Sequence, residues 1–286
     1  MNRKITNFFF EKQNNYFWLI FFRISVSLFI IIHFLSVLSD FDNLYSVDNG
    51  VISYSVAEVF IPDFIINLPE IIIFFESLGV AASVVVLLFK ILFLIFAFTL
   101  LIGYKQNFSA FILLFLQIFL SKSNMYYAYG VDFFTSLSLF YLAIIPRDLS
   151  SFGLSAFKRL FQIHISIAYF FAGFDKLIGV NWWNGESIWK AINLPFTTSN
   201  YDVTFLGKYP DFLMMLGIVT ALLELTYPAL VWYAKTRHYC IYLTILMHIG
   251  IAFILNLYFF SALMIIWNLT LKFSFNNEKS YHFYHK

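Results

Sequence analysis

The chain has 286 residues, 61% of them hydrophobic and 12% charged, with a mean hydropathy of +0.79 and a net charge of +2. A soluble domain carries about 25% charged residues, so this composition excludes one and defines a polytopic membrane protein. No basic run invites nucleic acid, and the single cysteine, Cys240, excludes an internal disulfide and a CxxC redox pair.

A membrane helix needs about 20 apolar residues. In chain order the apolar runs predict spans at 16–38, 77–103, 108–120 (extending to 123), 131–146, 160–178, 212–234, 239–255 and 257–273. Lys90 interrupts the second, Pro146 ends the fourth, and a tight connection near Asn256 separates the last two. The first run follows Arg3, Lys4, Glu11 and Lys12, lacks an A-x-A site and is too long for an h-region. It therefore reads as a span and not as a signal peptide. The expected fold class is all-α, a polytopic helical bundle of about eight transmembrane helices in the cell's inner (cytoplasmic) membrane. Residues 1–286 form one domain in this reading, with no extramembrane domain.

Charge asymmetry orients the bundle. With the N-terminus inside, cytoplasmic segments hold Arg3, Lys4, Lys12, Lys105, Arg147, Lys158, Arg159, Lys235, Arg237, Lys272, Lys279 and Lys286. The outer loops hold only Lys122, Lys190 and Lys208. Loop 39–70 carries Asp40, Asp42, Asp48, Glu58, Asp63 and Glu70 with no lysine or arginine. Both termini inside and an even helix count satisfy the positive-inside rule. The second half of that loop, broken by Pro62 and Pro69, reads as an interfacial or re-entrant helix.

The richest stretch is YFFAGFDKLIGVNWW at 169–183, followed by Asn184 and Gly185. Asp175 and Lys176 place opposite charges at the rim of a hydrophobic span, where ionisable groups mark function by default. The tryptophans beyond them suit a membrane–water interface. Two readings of Lys176 are open: a neutral amine in a dry pocket, competent as general base or nucleophile, or a lysine that snorkels to the headgroups. Asp175, its immediate neighbour, faces elsewhere on a helix. Glu224 and Lys90 each sit midway along a span, and an ion pair between them explains both. The alternative for Glu224 is a direct role in a substrate or proton site. His248 lies in the seventh span, His33 and His164 in the first and fifth, and Arg23 one to two turns into the first. No HxxxH, HExxH or His/Cys cluster gives a metal signature. Asn107-Phe-Ser and Asn268-Leu-Thr match the glycosylation pattern, but at the inner face or within a span, so they read as chance matches.

The run AGFDKLIGVNWWNG resembles the signature of the HTTM (horizontally transferred transmembrane domain) family, which includes the membrane half of vitamin K-dependent gamma-glutamyl carboxylases. FRISVSLFIIIHFLSVLSDFDNLYSVDNG, LLIGYKQNFSAFILLFLQIFLSKSN, LLELTYPALVW and MHIGIAFILNLYFFSALMI resemble further segments of that family. The resemblance implies that Lys176 is the base that deprotonates a reduced quinone of the vitamin K type. Asp175, Glu224 and His248 would join it in catalysis, with Asn124, Tyr129, Trp183, Gly185 and Arg23 around the substrate or cofactor and no metal. Two departures stand out: Asn124-Met125 replaces the carboxylases' Asn-His pair, and no counterpart of their large extramembrane domain is expected here. A short chain of this kind is also similar to the membrane component of sporulation-delaying-protein systems, which mature an exported antimicrobial peptide together with a small partner protein. The expectation is an enzyme-like protein in the lipid bilayer, with a cavity open to the outer leaflet that holds Lys176, Asn124, Glu224 and His248. The alternative is a non-catalytic binding or immunity protein, or a carrier of a hydrophobic ligand. Against the carrier, the sequence has no inverted repeat.

Overall fold

A computed structural model describes residues 8–9, 16–47, 50–61, 66–123, 126–145, 152–194 and 202–275. Among these residues all regular structure is helical. The α-helices are α1 (Phe17–Val37), α2 (Phe41–Tyr45), α3 (Tyr54–Ala57), α4 (Leu68–Ser77), α5 (Ala82–Ile102), α6 (Gln106–Ser123) and α7 (Gly130–Ile144). They continue as α8 (Phe152–Ile178), α9 (Val180–Trp183), α10 (Glu186–Ile192), α11 (Pro210–Trp232), α12 (Arg237–Leu255) and α13 (Tyr258–Phe275). Among the described residues five segments are long and apolar enough to cross a membrane: Phe17–Tyr45, Ala82–Ile102, Pro210–Trp232, Arg237–Leu255 and Tyr258–Phe275. Helices α6 and α8 are as long but more polar, and α7 is shorter.

Packing divides the chain into two compact units, Phe22–Ile145 and the pair of segments Met1–Phe21 and Pro146–Lys286. In the first unit α1 and α5 run antiparallel. The Arg23 guanidinium donates to Leu100 O at 2.8 Å and to Leu101 O, so it closes the C-terminus of α5. A cation there complements the helix dipole. Gly103, in the left-handed region at φ +81°, ends that helix where an added Cβ would meet Arg23 Nη1 at 3.0 Å. At the other end Phe34 stacks on Phe93 with centroids 4.0 Å apart. Asn107 ties α6 to the last carbonyls of α7, donating to Ala143 O at 2.9 Å and Ile145 O at 2.8 Å.

Two expectations are corrected in this unit. The helix of the span foreseen at 77–103 begins only at Ala82, because Gly79 at φ +84° breaks the chain after α4 ends at Ser77. Loop 39–70 begins with a 3-10 turn and α2, which carry Asp42 to within 3.5 Å of Lys90. The lysine also lies over the Phe41 ring, 4.4 Å from its centroid. Lys90 is therefore paired within this unit, and Glu224 has its ion-pair partner, Lys176, within its own.

The second unit is organised by α8, whose buried face meets α11, α12 and α13. Trp18 stacks on Phe157 at 6.2 Å, and Phe161 stacks on Trp267 at 4.8 Å. Helix α8 begins several residues earlier than expected, which draws Lys158 and Arg159 into the buried interior. Asn256 makes the tight reversal between α12 and α13 at φ +54°, a conformation asparagine tolerates better than most residues.

Candidate functional site

The inward face of α8 presents Arg159, Gln162, Ser166, Tyr169, Gly173 and Lys176. Steps of three and four keep these residues on one side of the helix. From first to last they span about 26 Å at ~1.5 Å per residue. Apolar surroundings penalise any polar group left without a partner, and the neighbouring helices supply partners along the stripe. Arg159 Nη1 donates to Gln162 Oε1 at 2.7 Å, and Gln162 Nε2 donates to Ser274 Oγ on α13 at 2.8 Å. Trp232 Nε1 on α11 donates to Ser166 Oγ at 3.1 Å.

One step further along, Tyr169 joins helices α8, α11, α12 and α13 in one network. Asn268 Nδ2 donates to Tyr169 Oη at 2.7 Å, and Tyr227 Oη donates to Asn268 Oδ1 at 2.8 Å. Tyr169 Oη lies 2.8 Å from His248 Nε2, and the Tyr169 and Tyr227 rings stack with centroids 4.2 Å apart. Since Tyr169 already accepts from Asn268, its own proton points to His248 Nε2. That assigns the neutral imidazole its proton on Nδ1, which is buried with no hydrogen-bond partner among the described residues.

At the far end of the stripe, Lys176 Nζ and Glu224 Oε2 form an ion pair at 2.6 Å. The amine also donates to Ala172 O at 3.3 Å and lies over the Trp182 ring, 5.1 Å from its centroid. The two partners differ in access: the side chain of Lys176 is 20% exposed and that of Glu224 8%. Pro228, inside α11, removes the N–H that would engage the Glu224 carbonyl.

Glycines bring these groups together. A Cβ on Gly173 would stand 2.2 Å from Leu225 N and 2.7 Å from Glu224 C, so only glycine lets α8 touch the α11 backbone one turn before Lys176. On α11, a Cβ on Gly217 would meet Trp182 O at 2.6 Å. Gly185, at φ +81°, lies where a Cβ would meet Met214 N at 2.7 Å. The contacts 173–225, 182–217 and 185–214 fix an antiparallel register, and the 173–185 segment is laid along α11.

Lys176 and Glu224 meet, and His248 belongs to the Tyr169 network. Asp175 is exposed, without an ion pair among the described residues. Trp183 Nε1 donates to Leu177 O at 2.7 Å and closes the end of α8, so Trp182 is the tryptophan that faces the amine. Gly185 serves chain packing. Arg23 and Tyr129 have structural duties in the Phe22–Ile145 unit. Tyr129 begins α7, its N–H donating to Asp132 Oδ2 at 3.1 Å. Burial and the Asp132 charge push its phenol up to about 12, so it stays protonated at physiological pH. Asn124 lies outside the described residues. The residues not foreseen are Tyr169, Tyr227, Asn268 and Trp182. Among the described residues no group of three or more His, Cys, Asp and Glu side chains suits a metal ion. Beside the signature, Asn184, Glu186, Trp189, Gly207 and Pro210 line an open groove of about 360 Å³.

No protein-family model matches the chain, and no curated protein or solved structure matches it.

Gly173→Ala should lower thermal stability by about 1–3 kcal/mol through overpacking against α11. Gly250→Ala is the control: an added Cβ there has no atom within 4 Å, and alanine should be neutral or stabilise by up to ~1 kcal/mol. Detergent melting curves compare the two. Equal behaviour would mean that the helices do not meet at Gly173.

Proposed function

We propose that this is an integral membrane protein of the HTTM, carboxylase-like type, which helps modify or mature an exported peptide at the outer face of the inner (cytoplasmic) membrane. In this reading eight helices span the bilayer, both termini are cytoplasmic, and Lys176 with Glu224 forms the acid–base pair. The supporting observation is the difference in access between the two partners: the Lys176 side chain keeps 20% exposure and the Glu224 side chain 8%. Lys176 is then the group a ligand meets, and Glu224 is the proton partner behind it.

The chemistry follows from burial. Removing both charges from water weakens the advantage of the ionised pair over its neutral form. A proton that passes from Nζ to Oε2 leaves an uncharged amine and an uncharged acid. The amine lone pair can then take a proton from an acidic hydroxyl, and the ammonium re-forms. The donor set fits such a ligand. Of three N–H bonds, Lys176 directs one to Glu224 and one to Ala172 O, and Trp182 offers a flat apolar face beside it. A reduced quinone held there would supply the ionisable hydroxyl, and the groove beside Trp189 has room for a peptide side chain. A small partner protein is part of this reading.

A second reading has its own support. Gly173 clamps α8 to α11 so closely that the ion pair could serve packing alone, in a non-catalytic binding or immunity protein. Lys176→Arg separates the two. Arginine keeps the charge but does not deprotonate in proteins. A catalytic base predicts loss of mature exported peptide by at least ~100-fold, at matched membrane levels. Full activity of the arginine variant would leave the pair as architecture only.

Orientation is tested separately. A cysteine placed by Lys190→Cys in a Cys240→Ser background should react with an impermeant maleimide applied from outside. Reaction only from the cytoplasmic side would overturn the eight-span arrangement.

A further inference from the structure

The Phe22–Ile145 unit encloses a cavity of about 30 Å³, close to the volume of one water molecule. Apolar side chains of α1, α2, α5 and α6 line it together with His33, Tyr45, Gln117, Asp132 and Thr135. Asp132 accepts from Gln117 Nε2 at 3.2 Å and from the Tyr129 N–H at 3.1 Å, both uncharged donors. Among the described residues no lysine or arginine pairs with it. The residues of this unit outside the described ones, 48–49, 62–65 and 124–125, include no Lys, Arg or His. One turn further along α7, on the same face, the Thr135 hydroxyl is buried without a hydrogen-bond partner; the residue is 1% exposed. A carboxylate and an unsatisfied hydroxyl on one small cavity are each costly, and one ligand relieves both.

We propose that this cavity binds a small monovalent cation of sodium's size, held by the Asp132 carboxylate and the Thr135 hydroxyl, with the Tyr45 hydroxyl and the Gln117 carbonyl completing an oxygen shell. A single carboxylate balances one positive charge, whereas a divalent ion would leave charge uncompensated in the bundle. A volume of this size suits one small ion. Hard oxygen donors suit such an ion, and cavity size and ligand number set its selectivity. The bound ion would join α2, α6 and α7.

The test is thermal unfolding of the purified full chain in detergent, in sodium, potassium or choline chloride at equal ionic strength. It is run at about pH 8, where an ordinary imidazole is neutral, so that His33 does not act as counter-charge. Sodium should raise the midpoint by several degrees over choline, saturably, as expected for a ligand that binds only the folded state. Thr135→Val, which keeps the shape, should abolish the rise. Asp132→Asn should do the same while keeping an acceptor for the Tyr129 N–H. Equilibrium binding of radioactive sodium should reach one ion per chain and vanish in Thr135→Val. An equal rise with potassium would overturn the sodium-sized site. No rise with either ion, from a wild-type protein that unfolds cooperatively, would overturn the cation site altogether and leave a water pocket or a protonated carboxyl.

Discussion

A helix with Arg159, Gln162, Ser166, Tyr169 and Lys176 on one face cannot lie in hydrocarbon unless other helices meet that face, because no water is present to satisfy the polar atoms. The architecture of the Met1–Phe21 and Pro146–Lys286 unit follows from this constraint. Helix α11 supplies Trp232, Tyr227 and Glu224; α12 supplies His248; α13 supplies Ser274 and Asn268. Each partner stands where its helix register brings it, and the glycines at 173, 185 and 217 let backbones approach closely enough for short side chains to bridge. Small residues commonly play this part where helices associate inside membranes.

The same constraint explains why the polar groups are local and specific. A buried ion pair adds little stability over a well-packed apolar contact, yet removing one partner strands a charge. Lys176 and Glu224 are therefore best understood as a pair retained for what it can do or for the register it imposes. The Phe22–Ile145 unit solves the problem differently, engaging Arg23 at a helix end and Lys90 with Asp42, both by contacts short in space though distant in sequence.

Apolar runs placed most helices within a few residues, since twenty residues of hydrocarbon length leave a strong signature. What hydropathy does not carry is the break at Gly79 inside an otherwise apolar run, or the depth of a charge. Lys90 and Glu224 looked alike as midspan charges. Their partners were decided by the 3-10 turn and α2, which deliver Asp42, and by Gly173, which delivers Glu224 to Lys176. Asn268, set aside as a chance glycosylation match, was a usable signal: an asparagine inside a span needs a partner helix. The three-and-four spacing from Arg159 to Lys176 was legible too. The apolar run itself begins only at residue 160, so hydropathy alone leaves Arg159 outside the stripe. The roles of Arg23 and Tyr129 as helix-end residues depend on chain segments that only folding brings near.

The central claim is that Lys176 and Glu224 sustain each other inside the bundle, and a double-mutant cycle in detergent tests it most directly. Lys176→Met and Glu224→Gln should each destabilise the protein by up to about 3–5 kcal/mol, with the charge-stranding lysine substitution at the upper end. The combined variant should then lose clearly less than the sum of the two. Strictly additive losses would contradict the pairing and, with it, the site built around it.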